Sequence, residues 1–285
     1  MKIFIPTQSK QTLGGGFTWR RTFTKYAQKQ GVDIVQRMED ADAVLISGAT
    51  MVERDYVQNI KNAGKKIVFR IDNIPRNSRN RNTGTSRLYD FAQMADLVIY
   101  QSQWAKDYIM PFVKHDGPVI LNGADEEMFN PDGEKVEREG YPQYLYVQYN
   151  RDETKEWHRA WYDYIMVHRE RPEAHLWIIG NFSPEQVEYK FDFFMGERFR
   201  YLGIMNNPED LARYYRSASF LKLPYFNDAC SNTLIEYLLC NPAGVVQHNF
   251  TGGNKEIMGA AMDEPWKLRA SSMTAEYINE IKKTL

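Results

Sequence analysis

The chain has 285 residues, 43% of them hydrophobic and 26% charged, with a formal net charge of −1. This is the balance of an ordinary soluble protein, and it supplies no field that would recruit nucleic acid or an anionic membrane. The length suits two domains, each able to bury its own core.

Short runs rich in β-branched and aromatic residues alternate with helical stretches. Lys2–Pro6, Ala43–Gly48, Lys65–Asp72, Leu97–Ser102 and Pro118–Asn122 read as strands, with amphipathic segments near 17–30, 53–63, 84–95 and 104–113 between them. Such alternation predicts a parallel sheet wrapped by helices. The stretch 131–142 is charged, poor in apolar residues and bracketed by Pro131 and Pro142, so it reads as a linker or a long surface turn. The alternation then restarts, with strands at Tyr144–Tyr149, His175–Gly180, Arg200–Gly203, Ser219–Pro224 and Gly244–Gln247. Thr274–Thr284 sets Tyr277, Ile278 and Ile281 on one side, which predicts a terminal helix. The fold class expected is α/β: an N-terminal domain over 1–130, a linker over 131–142, a C-terminal domain over 143–264 and a terminal segment over 265–285.

Cys230 and Cys240 are too few for a disulfide framework and lie on one expected helix, so both read as free thiols in a reducing compartment. Ile3-Phe4-Ile5 falls short of a signal-peptide core, and no segment approaches the ~20 apolar residues of a membrane span. The expected location is cytoplasmic.

Several motifs carry chemistry. The first strand runs into Gly14-Gly15-Gly16, and glycines at a strand-to-helix turn let the backbone approach a phosphate with the helix dipole behind it. A dinucleotide fingerprint wants another glycine where Trp19 stands, which weighs against NAD. Asp72 closes its strand, and a strand's carboxyl end in an open α/β sheet points into the ligand crevice. Around it Arg70, Arg76, Arg79, Arg81 and Arg87 form either a solvated loop or a basic face for an acidic or phosphorylated ligand. Arg151 and Lys155 are spaced to point one way at the start of a helix, where fixed cations suit a diphosphate.

The richest stretch is Asp228-Ala229-Cys230-Ser231-Asn232-Thr233-Leu234-Ile235-Glu236, followed by Thr251-Gly252-Gly253-Asn254-Lys255-Glu256. Ser231 or Asn232 can cap the helix that follows, leaving amides free for ligand oxygens. Asp228 suits sugar hydroxyls. Glu236, among Leu234, Ile235, Leu238 and Leu239, is a carboxylate on a largely buried helix and needs partners. Two other patterns carry little. Asp40-Ala41-Asp42 precedes its strand, at the wrong end for a ligand, and the five histidines lack metal-ligand spacing.

Together with Val119–Pro131, which reads hydrophobic-Asn122-Gly123-x-Asp125 and then Phe129-x-Pro131, these motifs resemble retaining glycosyltransferases of the GT-B fold, family 4, in family order over nearly the whole chain. The resemblance implies two Rossmann-like domains facing across a cleft, with a C-terminal helix crossing back onto the N-terminal domain. It implies acceptor binding in the first half and nucleotide-sugar binding in the second, no metal or other cofactor, and retention at the anomeric carbon. Arg151 and Lys155 would stabilise the departing diphosphate, and Glu236 would clasp the ribose diol. Asp228 would hold the sugar with Cys230 and the amides of Ser231, Asn232, Thr233 and Leu234. Gly15, Gly16, Gly253 and Glu256 would complete the donor site, with Asp72 and Arg79 on the acceptor side. Two departures stand out: Asp228 where Glu is commoner, and Glu156 where a glycine usually follows the lysine. The donor expected is a UDP- or GDP-sugar and the acceptor a glycan or other hydroxyl compound. Two competing readings are a non-catalytic GT-B protein that binds nucleotide-sugar or glycan, and a nucleotide-sugar epimerase; a dinucleotide-dependent oxidoreductase is more remote.

Overall fold

Apolar strands buried on both faces call for helices on both sides, and the chain builds two such parallel sheets. The computed structural model describes residues 1–7, 15–72, 74, 84–149, 155–182, 198–249 and 251–285. They divide into two compact units: Met1–Asp125 with Asp228–Asn232 and Gly252–Leu285, and Glu126–Asn227 with Thr233–Thr251.

The first unit holds β1 (Lys2–Phe4), β2 (Asp33–Val35), β3 (Ala43–Ile46), β4 (Lys66–Ile71) and β5 (Leu97–Tyr100), in the order β2-β1-β3-β4-β5 with every pairing parallel. Alternate residues of β3 face opposite sides. Ala43 and Leu45 join one core with Trp19, Phe23 and Tyr277, while Val44 and Ile46 join another with Phe91 and Ile109. The first core takes α1 (Gly15–Lys29) and the last helix, α9 (Ala270–Thr284). The second takes α2 (Arg54–Asn62), α3 (Gly84–Met94) and α4 (Gln103–Val113). Trp19 stacks on Phe23 at 5.0 Å and meets Tyr277 at 5.2 Å, so the amphipathic face read in the terminal helix is the one that docks on α1. α8 (Asn254–Asp263) also belongs to this unit.

The second unit holds β6 (Gln143–Gln148), β7 (His175–Gly180), β8 (Phe199–Tyr201), β9 (Phe220–Leu223) and β10 (Val245–His248), in the order β10-β9-β6-β7-β8, again all parallel. Its helices are α5 (Trp157–Glu170), α6 (Pro208–Ser217) and α7 (Asn232–Cys240), whose first residue packs with the first unit. From β6 the chain winds outward through β7 to β8, then returns to lay β9 on the other side of β6. That is the strand order of a dinucleotide-binding Rossmann sheet, with its reversal between β6 and β9. The first sheet reverses between β1 and β3.

Two expected elements differ. Pro118–Asn122 makes only one bridge, between Tyr100 and Val119, because Pro118 has no N–H to extend a ladder. The three-residue edge strand β2 was too short and too mixed in polarity to register as a strand from the sequence. The 131–142 stretch has no regular structure and is carried by the second unit. The buried Arg216 guanidinium donates to the Met128, Asn130 and Glu134 carbonyl oxygens, and Ser217 Oγ accepts from Val136 N at 2.9 Å. Among the described residues, no helix is long and apolar enough to cross a membrane.

Candidate functional site

In an open parallel sheet the ligand crevice opens at the strands' carboxyl ends, where the strand order reverses. In the second unit those ends belong to β6 and β9. Lys155 follows β6 and Tyr225 follows β9, and the lysine Nζ lies 3.7 Å from the centroid of the tyrosine ring. The Tyr225 hydroxyl donates to the Val147 carbonyl oxygen, and the Lys155 carbonyl accepts from Tyr146 Oη at 3.0 Å. Arg151 lies outside the described residues.

Glu156, which replaces the glycine of the resembled family, caps α5 at φ 51° and ψ 44°, in the left-handed region. Glycine is the residue best suited to that conformation. A side chain there costs about 1–2 kcal/mol. Glu156→Gly is expected to raise stability by about 0.5–1 kcal/mol after allowance for the more flexible unfolded chain. A higher urea midpoint at unchanged slope would register it, and a lower midpoint would refute it.

Glu236 sits in α7 with little exposure, and its Oε2 accepts from Tyr215 Oη at 3.2 Å. Burial pushes the carboxyl up to about 8, with the Tyr215 bond pulling weakly the other way. Tyr149 also rises, first by burial and then by the nearby Glu236. The second unit thus places an ammonium and a buried carboxyl on the elements after its strand-order reversal. Thr233 and Leu234 form the first turn of α7, and Leu234 is fully buried.

The segment leading into α7 packs with the first unit. Asp228 Oδ1 accepts from Cys230 N at 3.2 Å, and Ser102 Oγ donates to the Ala229 carbonyl at 2.7 Å. Asn122 carries the rest: its side-chain amide reaches the Cys230 carbonyl at 3.3 Å and Asn232 Oδ1 at 3.0 Å. Asn122 is held by buried Arg70, whose Nη2 donates to its Oδ1 at 2.9 Å and to Gln101 Oε1 at 3.0 Å, while Nη1 reaches the Ser47 carbonyl. The Cys230 thiol is buried, raised to about 12 by desolvation, and turned toward Asn122 N at 3.4 Å, so its side chain serves the packing of the segment. Cys240 is likewise a buried free thiol. Ser231 is buried beside them.

The Gly-Gly turn closes on the same segment. Gly253 N donates to the Asp228 carbonyl at 2.8 Å, and a Cβ at Gly253 would collide with the Ala229 carbonyl oxygen and meet Ser102 Oγ at 2.8 Å. Backbone cannot yield as a flexible side chain does. Gly253→Ala is therefore expected to destabilise the protein by about 2–4 kcal/mol, as overpacking against fixed atoms does. A thermal midpoint within a degree of the parent would show that the turn adjusts freely. Glu256 spends both oxygens on the start of α4, accepting from Gln103 N at 2.7 Å and Trp104 N at 2.8 Å. It acts as a helix cap here, which the linear motif did not show.

At the carboxyl ends of β3 and β4, the Asp72 carboxylate lies against two glycines. A Cβ at Gly48 would come within 2.5 Å of Asp72 Oδ2, and one at Gly16 within 3.8 Å. Gly15 neighbours Asn232, with an added Cβ 3.5 Å from its Nδ2. Of the arginines read as an acceptor face, Arg70 is buried in the network above and Arg87 donates to the Ala49 and Val52 carbonyls. Arg76, Arg79 and Arg81 lie outside the described residues, as does Gly14. Asp40 and Asp42 remain structural: Asp40 pairs with Arg37 at 3.8 Å and Asp42 accepts from Lys2 N at 2.7 Å.

No family model matches the chain, and no curated protein matches its sequence. Solved structures do match in fold. HepE of Anabaena, in complex with UDP, superimposes with a TM-score of 0.69 at 14% identity over 100% of both chains. The sucrose-phosphate synthase of Thermosynechococcus elongatus gives 0.66 at 14% identity over 98% of this chain and 94% of its own. An α,α-trehalose-phosphate synthase (UDP-forming) from Burkholderia xenovorans, in complex with glucose-6-phosphate, gives 0.62 at 11% identity over 93% and 77%. The fold is GT-B.

Within this GT-B chain the linear motifs missed Tyr225 beneath Lys155, Tyr215 against Glu236 and Gly48 beside Asp72, and they named Arg70 and Asn122 without their bond. One carried a signal. Arg70 is the only charge inside the apolar run Ile67–Ile71, and a lone charge in a buried strand must be bonded. Tyr225 and Tyr215 look like ordinary core aromatics in sequence.

Proposed function

We propose that the chain is a glycosyltransferase that moves a sugar from a nucleoside diphosphate-sugar to a hydroxyl acceptor. The observation that carries this reading is Lys155 at the carboxyl end of β6, beside the strand-order reversal of a Rossmann-type sheet. A cation fixed there suits the diphosphate of a donor, and Glu236 on α7 suits its ribose. UDP is the favoured nucleotide, since two of the fold neighbours are described with UDP or as forming it.

In the proposed reaction the bond between the anomeric carbon and the phosphate oxygen breaks as the acceptor oxygen bonds to that carbon. Lys155, with Arg151 assigned from sequence alone, takes up the charge growing on the leaving phosphate. No side chain is assigned as a nucleophile toward the sugar. Front-face attack with retention fits, the acceptor proton passing to the departing phosphate oxygen. From the sequence resemblance alone, Asp228 and the amides opening α7 would hold the sugar, and Asp72 would take an acceptor or sugar hydroxyl. No metal is assigned a role.

The test is thermal shift with UDP, GDP and NAD, with and without EDTA, on the parent and Lys155→Met. A ligand at a hundred times its Kd adds about 2.7 kcal/mol. Stabilisation by UDP that survives EDTA and falls away in the variant supports the reading. Stabilisation by NAD alone, or only with a divalent metal, refutes it. Incubation with UDP-sugars and no acceptor then separates an epimerase, which converts the donor, from a transferase.

A further inference from the structure

We propose that Tyr225 is the positioning residue for Lys155, its ring face fixing the ammonium where a donor diphosphate docks. The inference rests on the proposed donor site and adds a residue that none of the linear motifs contains. Tyr225 is 1% exposed, so its ring is set by the core rather than by the ligand. Its hydroxyl donates to the Val147 carbonyl, its ring meets Tyr146 edge-on at 6.3 Å, and Pro224 restricts the backbone leading into it. The Lys155 Nζ stands 3.7 Å over that fixed face. Tyr146, itself packed on Trp157 at 5.1 Å, holds the Lys155 carbonyl. One tyrosine therefore bonds the lysine's main chain and the other faces its charged end.

The choice of an aromatic partner has an electrostatic consequence. A carboxylate in Tyr225's place would hold the ammonium but cancel its field at the diphosphate. A ring face attracts a cation through its quadrupole and adds no net charge. The ammonium is thus ordered before the donor arrives, which removes part of the entropy cost of binding a flexible lysine to phosphate.

The test is UDP and pyrophosphate affinity by calorimetry for Tyr225→Phe and Tyr225→Leu, each alone and combined with Lys155→Met. Tyr225→Phe keeps the ring and loses only the hydroxyl, so it should bind UDP within about twofold of the parent. Tyr225→Leu should weaken UDP by about three- to tenfold, the strength of one cation–ring contact. In the Lys155→Met background the same change should cost less than about twofold, because its effect passes through the lysine. Equal weakening in both backgrounds would make Tyr225 a core residue and overturn the proposal. So would weakening by Tyr225→Phe as large as by Tyr225→Leu. Should Tyr225→Leu not fold, trifluorophenylalanine at this position keeps the ring's shape while draining its face of negative charge. Its UDP affinity should fall below that of Tyr225→Phe only when Lys155 is present; equal affinity overturns the proposal. Unchanged UDP affinity in Lys155→Met alone would remove the donor-site reading itself, and the role of Tyr225 with it.

Discussion

Lys155→Met is expected to lower the rate of sugar transfer from a UDP-sugar by about 10²–10³-fold, the loss seen when one preorganised charge-stabilising donor is removed. Methionine keeps the length and much of the apolar contact with Tyr225 but removes the charge. In the proposed reaction the diphosphate gains negative charge as the sugar leaves, so the lysine should matter more in the transition state than in the ground state. The fall should therefore appear chiefly in kcat, with a smaller rise in KM. A fall of less than tenfold, or one confined to KM, would mean that Lys155 only holds the donor. The thermal midpoint without ligand should change little, which separates this outcome from misfolding.

The second large effect concerns Glu236 and pH. Its carboxyl is raised to about 8 in the folded chain, chiefly by burial, from an ordinary unfolded value near 4.5. Between these values the folded state holds a proton that the unfolded state has lost. The protein is therefore at its full stability, as far as this group is concerned, below the unfolded value, and loses it steadily as pH rises toward 8. The loss amounts to at most about 5 kcal/mol. Glu236→Gln, neutral at every pH, should match the parent near pH 4 and exceed it in stability by several kcal/mol at pH 8.5. Identical pH profiles for the two proteins would show that Glu236 is ionised and well solvated. The same linkage bears on ligand binding. A carboxylate accepting two ribose hydroxyls must be charged, so donor binding should expel its proton. UDP affinity of the parent, relative to Glu236→Gln, should rise up to about tenfold per pH unit as pH climbs toward 8.

These two experiments examine residues that were legible to different degrees. Lys155 and Glu236 were singled out by placement and by the family resemblance: a cation after the first strand of the second half, and an acid on the helix after Asp228. The raised carboxyl of Glu236 was not legible there. The fold itself was largely written in the chain, because each strand of a doubly covered sheet must be a short apolar run and each helix must carry a buried stripe. Gly253 was marked as a turn glycine. Its necessity comes from the Ala229 carbonyl, which a Cβ would strike. Glu256 shows the limit most clearly. The motif suggested a ligand contact, yet both its oxygens cap α4, an element far away in sequence.

What the sequence determined by itself is therefore the periodic part: nine of the ten strands among the described residues, their parallel pairing, the amphipathic terminal helix and the order of the motifs. Periodicity is local, and the hydrophobic effect reads it without knowing where the chain goes next. Tertiary structure alone decided which strand lies beside which, and so put the reversals between β1 and β3 and between β6 and β9. It also decided that Tyr225 lies under Lys155, that Tyr215 faces Glu236, and that Arg70 steadies the Asp228–Asn232 segment through Asn122. Each of these pairs joins residues distant in sequence. Their meeting is fixed by strand order and side-chain packing, which no single window of the chain contains.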